Sequence, residues 1–300
     1  MAISYFRMPF RISLVRLFVV LSVSWLAQAS AALAQSAPSA VKLAPSERGK
    51  SFAEWYVSWG TSKQYWSNSD IHVSQPALGN NFTISGVRGA DEGFGFSEFL
   101  HGDLFGPQYN VRIGRFVNNA RTIGIELSFD HTKYNSVIGQ VAPVNGIVNG
   151  VPINASEVLT QQFFSERLNN GANHVMINGV YRLPLFGRIN ETRSSSALFK
   201  FGAGVMLPHT TDTVTGMTND VGDKTFGNAI GLDHGWWQLN GWTAGGEAAL
   251  RFVLYKPVYL ELSDKLAYAQ LIDLPAYEGN ISHSLWMNEI VVSLGVTLVH

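Results

Sequence analysis

Four of the eight histidines in this 300-residue chain have an aspartate within two positions. Asp70-Ile71-His72 is a D-x-H, His101-Gly102-Asp103 an H-x-D, and Asp130-His131 and Asp233-His234 are adjacent pairs. With His209 and His283, six histidines fall at expected strand ends or connections. A carboxylate beside an imidazole can orient and polarise the ring, which titrates near neutral pH, and so prepare it as a general base. Histidines and carboxylates can also collect a divalent metal. The competing reading is that short polar residues simply populate wet turns. Successive strand residues point to opposite faces, which separates Asp130 from His131 but puts Asp70 and His72 on one face. Asp70 and His72, with Asp130, are therefore the catalytic candidates. The chain has no Cys, which excludes disulfides and thiolate metal sites, and no metal or other cofactor is expected.

These residues need a scaffold, and the periodicity of the chain supplies one. In residues 285–300 (LWMNEIVVSLGVTLVH), Ile290, Val292, Leu294, Val296 and Leu298 share one strand face and Glu289, Ser293, Gly295 and Thr297 the other. Similar alternation runs through two hairpins. Tyr109, Val111 and Ile113 return after Asn118-Asn119 as Ile123, Ile125, Leu127 and Phe129; Trp242 to Leu254 return after Lys256-Pro257 as Val258, Leu260 and Leu262. No helical period is sustained, and the Gly202/Gly204 segment reads as a strand with small inward residues, not a phosphate loop. Short connections at one end and long ones at the other (about 91–106, 132–171, 208–238 and 270–284) suit a single, closed, antiparallel transmembrane β-barrel. The expected strands are about ten, within a range of eight to twelve, near 52–63, 67–75, 81–89, 107–117, 121–131, 172–183, 196–207, 240–254, 257–268 and 286–299.

On this reading the ionisable groups face inward. Counting from the two turns sets Arg112 opposite Glu126, Arg251 opposite Glu261 and Glu247 opposite Lys265, with His174, Asn178, Arg182 and Lys200 on the same inner face. A barrel of eight or ten strands is just wide enough for side chains to fill. The lumen is therefore expected to be occluded by paired charges, with a narrow polar conduit as the rival reading, and a wide porin channel is not expected at this strand number. Trp55 and Trp59 share the outward face of the first strand, and Trp236, Trp237 and Trp242 form an expected interfacial girdle.

Upstream of the strands, Arg7, Arg11 and Arg16 precede an apolar run from Leu17 to Ala27, and Ala32-Leu33-Ala34 offers an A-x-A cleavage site. Residues 1–34 are thus expected to be a secretory signal, 35–50 a flexible periplasmic lead-in and 51–300 the barrel. Net charge is −1 with 14% charged residues and no basic run, so nucleic-acid binding has no electrostatic footing.

The terminal strand resembles the C-terminal assembly signal of outer-membrane barrels through Ser293, Gly295 and Leu298, with His300 where that signal has an aromatic ring. The Asp70–His72 pair is similar to the D-x-H of ten-stranded outer-membrane proteases of the omptin type, but the second paired-Asp motif of that pattern is missing. No Ser-His-Glu arrangement like that of lipid A deacylases stands out among the many serines. The segments YVSWG, SDIH, QYNVRIGRF and DHTKY together resemble poorly characterised bacterial outer-membrane β-barrel proteins. That resemblance implies fold and location, and it singles out Asp70, His72, Arg112, Asp130 and Lys133 as an inner and rim cluster. The expected role is non-enzymatic, structural or ligand-binding, with an outer-rim hydrolase or lipid-modifying enzyme using a His/Asp pair as the alternative. The expected partners are outer-membrane lipid, lipopolysaccharide and the barrel-assembly machinery, which would read the terminal strand of a monomer. If an imidazole substitutes for the terminal ring, His300→Phe should leave assembly unchanged, and His300→Asp should lower the heat-modifiable fraction in isolated membranes.

Overall fold

Alternating side chains sort themselves cleanly in the strand that closes the chain. Trp286, Leu294, Val296 and Leu298 are exposed, whereas Met287, Glu289, Val291, Ser293 and Thr297 are buried, as a period of two requires of a strand with one sealed face. A computed structural model of the chain describes residues 54–92, 108–168, 170–220, 230–231 and 236–299. The expected signal and lead-in lie outside the described residues, as do His101, Asp103, Asp233, His234 and His300.

The strands are, in order, β1 (Glu54–Trp66), β2 (Ser69–Gln75), β3 (Asn80–Val87), β4 (Gly89–Ala90), β5 (Tyr109–Phe116), β6 (Ile123–Asp130), β7 (Tyr134–Ser136), β8 (Val141–Val148), β9 (Val151–Val158) and β10 (Phe164–Leu168). They continue as β11 (Ala172–Phe186), β12 (Ser195–Pro208), β13 (Thr211–Val214), β14 (Met217–Asp220), β15 (Ile230–Gly231), β16 (Trp237–Gln238), β17 (Gly241–Tyr255), β18 (Val258–Ala276) and β19 (Gly279–Val299). Eight of them, β1-β5-β6-β11-β12-β17-β18-β19, pair antiparallel in a ring, because β19 also pairs with β1 from Glu54–Val299 to Trp66–Met287. Every ring strand thus has partners on both sides, which removes the open edge a sheet otherwise presents.

The ring holds eight strands, not ten. The two expected strands near 67–75 and 81–89 exist as β2 and β3 but stand outside it. β19 is 21 residues long and outruns β1, leaving its first residues without that partner; β2 fills the gap at Asn280–Ser282. From there β2, β3, β8 and β9 extend the sheet beyond the ring. The expected long loops are corrected in the same way. Segment 132–171 contains β7 to β10, 208–238 contains β13 and β14, and 270–284 is the continuous end of the β18–β19 hairpin. The β8–β9 connection is Asn149-Gly150, both at positive φ (50° and 77°), which is the backbone that a two-residue hairpin turn needs and Asn-Gly readily adopts.

A second sheet, β14-β13-β10-β7-β4, packs with this extension. Ile71, Phe82, Ile84, Tyr134, Leu159, Phe164, Leu168, Leu271, Leu274 and Ile281 share one buried cluster at this end, called the cap below. A smaller cluster of Tyr56, Phe116, Val180, Leu198 and Tyr259 lies inside the ring toward the short turns. Glycine makes room for its rings: a Cβ at Gly114 would fall 2.1 Å from the Tyr56 ring, and one at Gly295 would fall 2.2 Å from Tyr259.

Candidate functional site

Inside the ring most of the charges form one connected network, and Arg182 makes a separate pair with Glu54 at 2.7 Å. Lys200 on β12 lies 3.1 Å from Glu126 on β6, 3.0 Å from Glu247 on β17 and 2.9 Å from Glu261 on β18. Arg251 reaches Glu261 at 2.7 Å, and Arg112 and Lys265 both bind Asp130. Asn110 donates to Asp130 and Glu289, each at 2.8 Å, and the Tyr56 hydroxyl donates to Glu126 at 2.9 Å. None of these charged side chains is more than 7% exposed.

Two of the expected cross-strand registers hold, Arg251 with Glu261 and Glu247 with Lys265. Across that second pair, however, the charges choose other partners: Glu247 binds Lys200 and Arg112, while Lys265 binds Asp130. The third register is corrected, since Arg112 faces Ser128 and Glu126 faces Gly114. The β5–β6 connection is wider than a turn at 118–120: Val117 donates to Ile123 O, and the Asn118 carboxamide caps the Thr122 and Ile123 amides at 2.8 and 2.9 Å. That width moves the register by two residues, and Arg112 reaches Glu126 only diagonally, at 3.7 Å.

The rim candidates do not converge. Asp70 and His72 share the exposed face of β2, as their spacing requires, but each has its own structural task. Between Ser69–Val87 and Ile71–Ile84, two residues of β3 oppose one of β2. Gly86, at φ +68°, completes this bulge, and its amide donates to Asp70 Oδ1 at 2.7 Å. His72 Nδ1 lies 3.3 Å from Oγ1 of its cross-strand neighbour Thr83. Asp130 belongs to the ring network, and Lys133 pairs with Glu92 at 2.6 Å. His131 bonds Asn173 at 2.7 Å and stacks on Tyr109. The tryptophans also divide. Trp55 and Trp242 are exposed on the ring, and Trp59 is half-buried. Trp236 folds onto His209, with ring centroids 4.0 Å apart, and the Trp237 indole donates to Asn170 O at 2.9 Å. The outward row beside Trp242 is completed instead by Tyr268 and Trp286, at successive centroid distances of 5.4 Å.

A different constellation appears where the cap meets the ring. Ser69 Oγ on β2 is 2.8 Å from His283 Nδ1 on β19, and His283 Nε2 is 3.2 Å from Glu166 Oε1 on β10. Ser69 Oγ also donates to Ser284 O at 2.8 Å. Asp212 on β13 is the cross-strand neighbour of Glu166, and Tyr134 packs its ring 5.7 Å from that of His283. Glu166 and Asp212 are fully buried. Beside this cluster, at the rim, is a cleft of about 270 Å³ walled by Asn68, Ser69, Asp70, Gly86, Tyr268 and Trp286 among others. Sequence reasoning missed the group because its members stand at 69, 166 and 283, on strands that meet only once the cap forms. The one local signal is the D-x-H itself, whose Asp70 pins the bulge next to Ser69. Among the described residues, no group of three His, Asp or Glu side chains has the geometry of a metal site.

No family model and no curated protein matches the chain. The solved structures it is similar to are bacterial outer-membrane proteins. OprG from Pseudomonas aeruginosa shares 10% identity over 83% of this chain and 96% of that one, with a TM-score of 0.34. Ail of Yersinia pestis, solved with the heparin analogue sucrose octasulfate, shares 13% over 82% and 99%, with a TM-score of 0.27. The protease OmpT from Escherichia coli shares 7% over 84% and 100%, with a TM-score of 0.30. At such values the functional reading rests on the chain's own geometry.

Two outcomes follow. Lys200→Met leaves three buried carboxylates without their common cation, and should cost about 3–5 kcal/mol in a urea titration in micelles. In the cap, burial first and then the charge of Glu166 hold the Asp212 carboxyl well above its usual value of 3.8. A group raised in this way adds stability that is complete below about pH 3.8 and is lost as pH rises through its folded-state value. Asp212→Asn keeps the neutral shape, so protease resistance of the cap should fall with rising pH in the wild type and fall less in the variant.

Proposed function

We propose that the ring spans a bacterial outer membrane as an eight-stranded β-barrel with a sealed lumen, and that the chain works by binding at its outer surface, through the cap and rim. The observation that carries this reading is the contact of Lys200 with carboxylates from three other strands, which ties the lumen across its width. A solute would have to break several buried ion pairs to pass.

The outer wall of the ring supports the membrane part of the proposal. Ile113, Ile125, Leu127, Ile177, Phe201, Leu250, Leu262, Leu266, Leu294 and Leu298 are all between 41 and 69% exposed and come from seven of the eight ring strands. So wide an apolar belt is foreign to a soluble monomer. Aromatic rings bound it. Trp55 stands opposite Leu298 near the short turns, and the Trp242–Tyr268–Trp286 row lies near the cap. From Leu298 to Trp286 along a strand tilted by about 40°, at about 3.4 Å per residue, the rise is about 30 Å, matching a barrel's apolar band with its girdles. On this reading the cap is extracellular, the short turns are periplasmic, and residues 1–34 are the export signal. The barrel is a monomer that contacts lipid and lipopolysaccharide and is inserted by the assembly machinery through β19.

The folded protein in detergent should migrate differently in gel electrophoresis before and after boiling, and should give no stepwise conductance in planar bilayers. Full extraction into salt buffer without detergent would overturn the membrane reading, and regular conductance steps would overturn the sealed lumen.

A further inference from the structure

We propose that the cleft at the outer rim binds a neutral sugar in the headgroup of an outer-leaflet glycolipid, with the Trp286 ring as platform and Asn68 and Asp70 as hydrogen-bonding wall. The inference deepens the outer-surface binding proposed above and rests on that membrane reading for its lipid layer; its sugar chemistry rests on the cleft. A sugar ring has an apolar face of C–H groups and a rim of hydroxyls. A site for it therefore needs an electron-rich aromatic plane with hydrogen-bond acceptors and donors at the edge. The cleft of about 270 Å³ brings the two together. It lies just below the range of about 300–1,000 Å³ that holds drug-sized ligands, which suits a single ring.

Both walls are held in place before any ligand arrives. Trp286 is 51% exposed, yet its backbone is clamped: its amide donates to Ser67 Oγ at 2.9 Å, and the Ser67 amide donates to Trp286 O at 2.9 Å. Tyr268 packs beside the indole at 65°, with its own hydroxyl donating to Gln270 Oε1 at 3.0 Å. Opposite them the β2–β3 bulge fixes Asp70, whose Oδ1 accepts the Gly86 amide at 2.7 Å; bulges recur at binding sites because they re-aim a side chain. Among the described residues, neither Asp70 Oδ2 nor the Asn68 carboxamide has a hydrogen-bond partner, and both residues are exposed. The carboxylate can accept from ring hydroxyls, and the carboxamide can both accept and donate. Asp70 is the one charged residue in the wall, with no Lys or Arg beside it. A phosphorylated or carboxylated sugar would meet that charge uncompensated, so the site favours a neutral one. The cleft also opens sideways. Trp286 and Tyr268 belong to the outward row at the cap end of the ring, and Asp70 stands on the exposed face of β2 beside it. On the membrane reading the headgroup layer lies against that wall, so the sugar is one carried by a neighbouring lipid.

The alternative is an ordinary interfacial girdle, in which the rings favour the interface whatever the headgroup, and titration separates the two. Isotope-labelled protein is folded in dodecylphosphocholine micelles, which carry no sugar. The NMR signals of the Trp286 indole and the Gly86 amide are followed as octyl glucoside is added. The expected result is a saturable shift of both, absent with octyl tetraethylene glycol, which has the same chain and no sugar. Trp286→Leu should abolish the shift at Gly86. Asp70→Asn, whose carboxamide oxygen can still accept the Gly86 amide, should weaken binding about 10-fold, as loss of one charged hydrogen bond implies. Trp55→Leu, at the opposite girdle, should leave the midpoint unchanged. Equal and unsaturable shifts with both detergents overturn the proposal, as does binding that survives Trp286→Leu. Tighter binding of an alkyl glucuronide overturns the preference for a neutral sugar, and free glucose that saturates at the same concentration as octyl glucoside overturns the lipid-borne source. Heat-modifiable migration is read on the same samples, so a failure of the membrane reading is seen apart from a failure of the site.

Discussion

A ring of eight strands leaves an interior too narrow for water to solvate charge freely, and this chain puts at least nine ionisable side chains there. Lys200 carries much of the consequence, because its ammonium group touches Glu126, Glu247 and Glu261 at once. Each of those carboxylates has a further tie, to Arg112, Arg251 or the Tyr56 hydroxyl. Buried ion pairs add little net stability compared with apolar packing, but they penalise severely any arrangement that separates them. Strand order and register in the ring are thereby held to one solution. A slip of a single residue in β12 would turn Lys200 toward the outer wall and leave its three partners unpaired inside.

The same strictness explains why the cap can be built on the ring. β18 and β19 run 19 and 21 residues, well past the length that pairs with β1 and β17. Their excess length has to find partners and an apolar face to bury, and β2 with the strands after it provides both. The cap is thus a continuation of ring strands, with its core fixed to theirs through Leu271, Leu274 and Ile281. His283 sits on this shared strand and is held by Ser69 from one sheet and Glu166 from the other. Any motion of the cap relative to the ring must pass through these contacts.

Much of the ring was legible in the residue order because one face meets an apolar surround and the other a polar lumen, so the period of two is written plainly in β5, β6, β17 and β19. The Arg251–Glu261 register could be read from Lys256-Pro257, where the turn is tight. Where the turn was wide, as at Asn118, the register of Arg112 could not be counted. The cap was illegible for a different reason. Its strands are short, several carry polar residues on both faces, and β9 is largely exposed on both, so they look like loop until their non-local partners are known. Asn149-Gly150 was the one local hairpin signal there, and its flanking valines, Val148 and Val151, fit it. Likewise nothing in the spacing of Ser69, Glu166 and His283 announces that they meet, since each is positioned by a different sheet pairing.

The two buried carboxyls of the cap meet a constraint of their own. Glu166 and Asp212 are opposite one another on adjacent strands, both without solvent, and two such groups cannot both hold a charge at neutral pH without large cost. Asp212 has its carboxyl raised first by burial and then by its neighbour. A buried carboxyl held neutral costs less than a charged one, so Asp212 can stand across from Glu166 without a counter-ion of its own.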